Sequence, residues 1–169
     1  IKNVVFLGDS ITEGTGASRI ENCYVSLVAS EKDFNNVYNF GIGGTRIARK
    51  KTPSKIHKKD LDFNLRTILL PDEIDYIVVF GGTNDYGHGE APLGVIGEET
   101  PFTFAGAVQL LVNTLIKKYG KEKVRFVLPL KRYNHSLPRG NKYVLKEYVD
   151  VLKQILEKEN IPYLDLFEN

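Results

Sequence analysis

Short β-branched and apolar runs alternate along this chain with longer stretches of 3.6-residue periodicity. The run Val4-Val5-Phe6-Leu7 makes residues 3–7 a strand, closed by Gly8. Residues 22–31 read as a helix with Tyr24, Leu27 and Val28 on its apolar side and Cys23 as a further candidate. A second strand covers 36–40 and runs into Gly41-Ile42-Gly43-Gly44. Residues 61–70 read as a helix that stops before Pro71. The segment 74–80, Ile-Asp-Tyr-Ile-Val-Val-Phe, is the strongest strand. Its nearly continuous apolar character predicts a central position, covered on both faces.

A loop rich in Gly and Pro spans 81–101. Phe104, Val108, Leu111, Leu115 and Ile116 predict a helix over 102–119. Residues 123–128 form a fourth strand, ended by Pro129, and a second loop covers 129–140. The last helix, 141–159, turns Tyr148, Val151, Leu152, Ile155 and Leu156 inward, together with Tyr143 or Val144. A fifth strand covers 161–166.

Strands alternating with helices predict βαβ units, a parallel sheet and right-handed crossovers. No repeat, low-complexity segment or dividing linker interrupts the pattern. The expectation is one three-layer α/β domain over 1–169, with a doubly wound five-stranded parallel sheet in the flavodoxin-like order 2-1-3-4-5. A covered parallel sheet usually ends in a helix packed back on it, and none follows the fifth strand. The domain is therefore expected to lack a C-terminal loop and helix.

Composition narrows the classes. The chain has 169 residues, 42% hydrophobic and 26% charged, with a net charge of +2. That is an ordinary globular balance, with no charge excess to attract nucleic acid or a membrane surface. A single cysteine, Cys23, forms no internal disulfide. No apolar run approaches the roughly 20 residues that span a bilayer. The chain contains no methionine, even at its first position. A processed or trimmed N-terminus is expected, which leaves the compartment open between the cytoplasm and a larger exported protein.

In a parallel sheet the loops leaving the strand C-termini share one edge, where open α/β sheets bind ligands. Three of those loops carry special chemistry: Gly8-Asp9-Ser10, Gly41-Ile42-Gly43-Gly44 and Gly81-Gly82-Thr83-Asn84-Asp85. Acyl transfer needs a nucleophilic hydroxyl, a base and donors for the developing oxyanion. Taken singly, Ser10 reads as a helix N-cap or turn residue, the glycines as a tight turn and Asn84-Asp85 as a loop cap. Taken together, Ser10 N–H, Gly44 N–H and the Asn84 amide make a three-donor oxyanion hole around a Ser10 nucleophile.

These segments, Gly8-Asp9-Ser10-Ile11-Thr12, Asn39-Phe40-Gly41-Ile42-Gly43-Gly44-Thr45 and Gly81-Gly82-Thr83-Asn84-Asp85, resemble the first three sequence blocks of the SGNH hydrolases, or GDSL esterase/lipase family. The resemblance runs over practically the whole chain. It implies Ser10 as nucleophile, with Gly44 and Asn84 as oxyanion donors; Gly43 is the alternative to Gly44. It implies a three-layer α/β fold and ester hydrolysis without metal or organic cofactor. The expected substrate is a small-molecule or glycan acyl ester, with carbohydrate deacetylation or lipolysis as the candidate reactions.

The family's fourth block, an Asp-x-x-His that supplies the general base and its orienting carboxylate, is not in this sequence. The only histidines are His57, His88 and His135, and none has Asp three residues before it. His88 and His135 follow strands on the correct edge and are the alternatives for the base; His57 lies in the basic stretch and reads as a surface residue. Losing the base of a serine hydrolase costs on the order of 10⁶ in turnover. The chain by itself is therefore expected to be nearly inactive, as part of a longer working esterase. The alternative is a non-catalytic module on the same fold that binds acylated glycans.

Other features add less. Tyr86 and His88 are candidate substrate-side residues in the loop 81–101. The segment 46–59 carries Arg46, Arg49, Lys50, Lys51, Lys55, Lys58 and Lys59 and no acid, which fits either a contact for an anionic polymer or a solvated face. Arg132, after the fourth strand, could meet a substrate anion, a role the sequence does not single out. There is no Gly-x-Ser-x-Gly elbow, no phosphate-binding loop and no metal-ligand spacing.

Overall fold

The computed structural model describes residues 2–31, 34–88, 91–133 and 142–169. Strand β1 (Lys2–Gly8) lies between β2 (Phe34–Gly41) and β3 (Tyr76–Phe80), and β4 (Val124–Val127) and β5 (Tyr163–Leu164) extend the sheet beyond β3. All four pairings are parallel, in the order 2-1-3-4-5. The doubly wound α/β reading holds.

Strand register is what positions the site. Gly8 stands opposite Gly41 on one side and Phe80 on the other. Phe80 stands opposite Val127, and Val127 opposite Leu164. The strands thus end level, in one row, and their loops leave from a common line.

The period of two along β1 divides its apolar run between the two faces of the sheet. Val5 and Leu7 join Ile77 and Val79 in the larger core, with α5 (Phe104–Tyr119) and α6 (Leu145–Lys158). Val4 and Phe6 join the smaller core on the other face with Cys23, Val25, Tyr76 and Val78. The central place predicted for the third strand is the one β3 occupies.

Both long helices begin on side-chain caps. Thr103 Oγ1 accepts from Gly106 N–H at 3.1 Å ahead of α5, and the Glu147 carboxylate accepts from Val144 N–H at 2.8 Å ahead of α6.

Several elements differ from expectation. Regular helix between 22 and 31 is confined to α2 (Tyr24–Ala29). Its inward stripe is Tyr24, Val25 and Val28, while Leu27 is 53% exposed. Cys23 is extended, so it is buried without sharing the helical phase.

The predicted helix 61–70 is one α-turn, α3 (Phe63–Arg66), followed by a 3₁₀ turn, Thr67–Leu69. Its polarity is inverted: Arg66 is buried, whereas Ile68 and Leu69 face solvent. Two short helices interrupt predicted loops, α1 (Ser10–Glu13) and α4 (Thr83–Gly87). The fifth strand is only two residues long. Pro162 has no N–H to donate, and the Asp165 carboxylate turns the chain by accepting from Phe167 N–H and Glu168 N–H. Among the described residues no helix is long and apolar enough to cross a membrane.

Candidate active site

Ser10 opens α1 directly beyond the end of β1. Asp9 caps that helix, its Oδ1 accepting from Ile11 N–H at 2.9 Å. The cap is 2% exposed. Burial pushes its carboxyl up from 3.8 to about 6, against the stabilising Ile11 amide; the neighbouring Asp85 pushes it the same way. Thr12 is buried beneath, its hydroxyl 2.8 Å from that of Tyr24, and burial raises the Tyr24 phenol to about 12.

The end of β2 approaches α1 so closely that a side chain at position 41 has no room. A Cβ on Gly41 would lie 2.2 Å from Glu13 N. Beyond it, Gly43 donates to Glu13 Oε2 at 2.7 Å, while Gly44 takes φ +77. Among the described residues neither Gly44 N–H nor Ser10 N–H has an acceptor. The stem of Lys59 lies against Gly44, its Cε 2.9 Å from the point a Cβ would occupy.

The β3 loop clamps the β2 loop. Asn84 Nδ2 donates to Thr45 O at 2.9 Å. The fully buried Asp85 carboxylate accepts from Ile47 N–H at 3.1 Å and Ala48 N–H at 2.9 Å. Burial raises the Asp85 carboxyl, opposed by the Ala48 amide and the Arg46 charge.

Arg66 braces the ends of β1 and β2 from below. Its guanidinium donates to Gly8 O at 3.0 Å, to Phe40 O, to Leu61 O at 2.9 Å and to Thr45 Oγ1 at 2.9 Å. Burial lowers its pKa to about 10, with Asp62 and Asp9 opposing, so it stays charged at neutral pH.

A cavity of about 350 Å³ opens over this centre, lined by Ser10, Ile11, Phe80, Asn84, Leu130 and Arg132 among others. Tyr86 is not part of that wall. It is buried in the core, edge-on to Tyr148, and it borders a second cavity of about 330 Å³ with Leu145 and Phe167. Arg132 belongs to both cavities, its guanidinium 5.6 Å from the Tyr86 ring centre.

His88 follows α4, its N–H on Asn84 O at 3.0 Å, and it does not line the Ser10 cavity. His57 is exposed on a 3₁₀ turn. His135 lies outside the described residues. Among the described residues no group of three His, Cys, Asp or Glu side chains could hold a metal ion.

The motifs alone leave out Arg66, Glu13 and Lys59. A signal for Arg66 is present: an arginine between Leu65 and Ile68 in a short apolar stretch is a candidate for burial with its charge turned inward.

The sequence profile of the GDSL-like Lipase/Acylhydrolase family matches residues 6–169. The chain belongs to this family. Solved structures of the same fold include a Lactobacillus plantarum protein, 26% identical, over 99% of this chain and 78% of that one (TM-score 0.81). A possible lipase from Chitinophaga pinensis is 20% identical over 100% and 69% of the two chains (TM-score 0.74). An M. smegmatis aryl esterase is 18% identical over 98% and 84% (TM-score 0.71). No curated protein matches the sequence. That family is one of hydrolases of the lipase/acylhydrolase kind.

Proposed function

We propose that this family member is a serine esterase acting on small acyl esters through an acyl-enzyme on Ser10. Ser10 Oγ attacks the ester carbonyl and its proton passes to a base. Ser10 N–H, Gly44 N–H and the second Asn84 amide hydrogen receive the oxyanion. Collapse expels the alcohol with a proton, and water then releases the acid from Ser10.

One observation carries this reading. Two backbone N–H groups, at Ser10 and Gly44, are without acceptors among the described residues, in loops fixed by Arg66 and Asn84. Donors held in fixed loops need no reorganisation when charge develops, and each is worth roughly 3–4 kcal/mol in the transition state. Gly44 is favoured over Gly43, whose N–H is already given to Glu13. The names of the similar structures, a possible lipase and an aryl esterase, agree with ester cleavage. Carbohydrate deacetylation and lipolysis are both compatible with a cavity of about 350 Å³.

A second observation favours the non-catalytic reading. Among the described residues no histidine lines the cavity and no side chain accepts from the Ser10 hydroxyl. We accordingly expect low turnover from the 169-residue chain.

Labelling with a fluorophosphonate, beside hydrolysis of p-nitrophenyl acetate, tests the assignment. Modification at Ser10 and its loss in Ser10→Ala are expected. An unlabelled serine together with tight binding of an acylated sugar would replace the esterase by the binding module.

A further inference from the structure

We propose that the ester taken at Ser10 carries a carboxylate, and that Arg132 and Lys59 recognise it. This rests on the Ser10 esterase reading and names the substrate class for the same site.

The charges around Ser10 are sorted by direction. The acids turn inward onto backbone amides. Asp9 Oδ1 accepts from Ile11 N–H at 2.9 Å, and Glu13 Oε2 from Gly43 N–H at 2.7 Å. Both Asp85 oxygens are taken by Ile47 and Ala48 N–H, at 3.1 and 2.9 Å. Asp9 and Asp85 are also buried. The buried Arg66 is occupied by the Gly8, Phe40 and Leu61 carbonyls and the Thr45 hydroxyl.

Two cations remain. Arg132 is exposed and lines the Ser10 cavity. Lys59 runs along Gly44, the proposed oxyanion donor. Among the described residues neither pairs with a carboxylate.

The Tyr86 ring, 5.6 Å from the Arg132 guanidinium, supports that fork by a cation–π contact and leaves its N–H groups for a ligand. A planar guanidinium with open donors matches a carboxylate in two-point geometry. A cation in the wall of a cleft, as Arg132 is here, also raises the local concentration of an anion. The Arg132 wall of the Ser10 cavity thus favours negative charge, although the chain as a whole is only +2 and Glu168 borders the adjoining cavity that Arg132 also lines.

The test compares kcat/KM for matched esters at low ionic strength. The first pair, 4-acetoxybenzoate and its methyl ester, carries the charge on the alcohol side. The second pair, mono-4-nitrophenyl succinate and 4-nitrophenyl butyrate, carries it on the acyl side. In one pair the charged ester is expected to lead by about tenfold, the scale of a charge-assisted hydrogen bond at a partly exposed site. That ratio should fall toward one in Arg132→Gln and in Lys59→Gln, survive in part in Arg132→Lys, and shrink as salt is added.

Binding of 4-acetamidobenzoate and its methyl ester to the Ser10→Ala protein separates the two ideas. If no ester is hydrolysed but the acid binds more tightly than its ester in an Arg132-dependent way, the carboxylate site stands and the esterase reading falls. Equal binding of acid and ester, or a preference unchanged by both Arg132→Gln and Lys59→Gln, overturns the carboxylate site.

Discussion

Asn84 Nδ2 donates to the backbone carbonyl of Thr45 at 2.9 Å, fastening the loop after β3 to the residue that follows Gly44. Thr45 is held from its other side, where its hydroxyl accepts from Arg66 at 2.9 Å. Two of the three motif loops therefore brace each other through one threonine.

Asn84→Ala removes both the tie and the proposed donor. The rate of Ser10 phosphonylation is expected to fall by about 10²–10³, the loss typical of one oxyanion donor. Stability should fall by only about 1 kcal/mol, the net worth of one hydrogen bond. A large drop in melting temperature with an unaltered labelling rate would assign Asn84 a purely structural role.

Arg66→Met keeps the bulk of the side chain and strips its donors. The carbonyls of Gly8, Phe40 and Leu61 each lose a partner. The expected cost is about 3 kcal/mol, or a melting temperature lower by roughly 10 °C in a chain of this size. Arg66→Lys should recover part of it. Thermal unfolding by circular dichroism measures both, and a melting temperature within 2 °C of the parent, by the same roughly 2–4 °C per kcal/mol, would deny Arg66 its bracing role.

Asp9 has its carboxyl raised from 3.8 to about 6, first by burial. Between those values the folded state holds a proton that the unfolded state has released. Stability from this group is therefore full below about pH 4 and lost as pH rises through about 6, by about 3 kcal/mol over the interval. An asparagine side chain mimics the protonated acid, so Asp9→Asn should stabilise the protein at about pH 8 and give no advantage at about pH 4. Urea unfolding at the two pH values checks it; a variant less stable than the parent on the alkaline side contradicts the argument.

Gly41→Ala places a methyl group 2.2 Å from Glu13 N, in backbone that cannot rotate away. Overpacking of this kind costs about 1–3 kcal/mol and moves α1, which carries Ser10. Reduced stability and slower Ser10 labelling are expected together. Alanine tolerated in both assays would show that β2 and α1 separate easily.

Much of this arrangement is readable from local sequence. The apolar run 74–80 marks the strand that lies at the centre of the sheet, because a strand covered on both faces has no polar alternation. The three Gly-containing segments mark the loops at its edge. The periodicity over 22–31 places Tyr24 and Val28 on the inward side, but the short helix turns Val25 inward in place of Leu27, and Cys23 is buried as extended backbone. The helices at Ser10–Glu13 and Thr83–Gly87 escape pattern reading because four or five residues are too few to show a period.

By itself the sequence determined the order of elements and the residue types available at one sheet edge. Apolar periodicity and glycine placement act over a few residues, so they can be read without the fold. Tertiary structure decided which polar groups are consumed and which are left over. Arg66 meets the carbonyl of Gly8 across 58 positions, and Glu13 meets Gly43 across 30. No local pattern records such contacts, because they arise when register brings Gly41, Gly8 and Phe80 level and their loops are packed together.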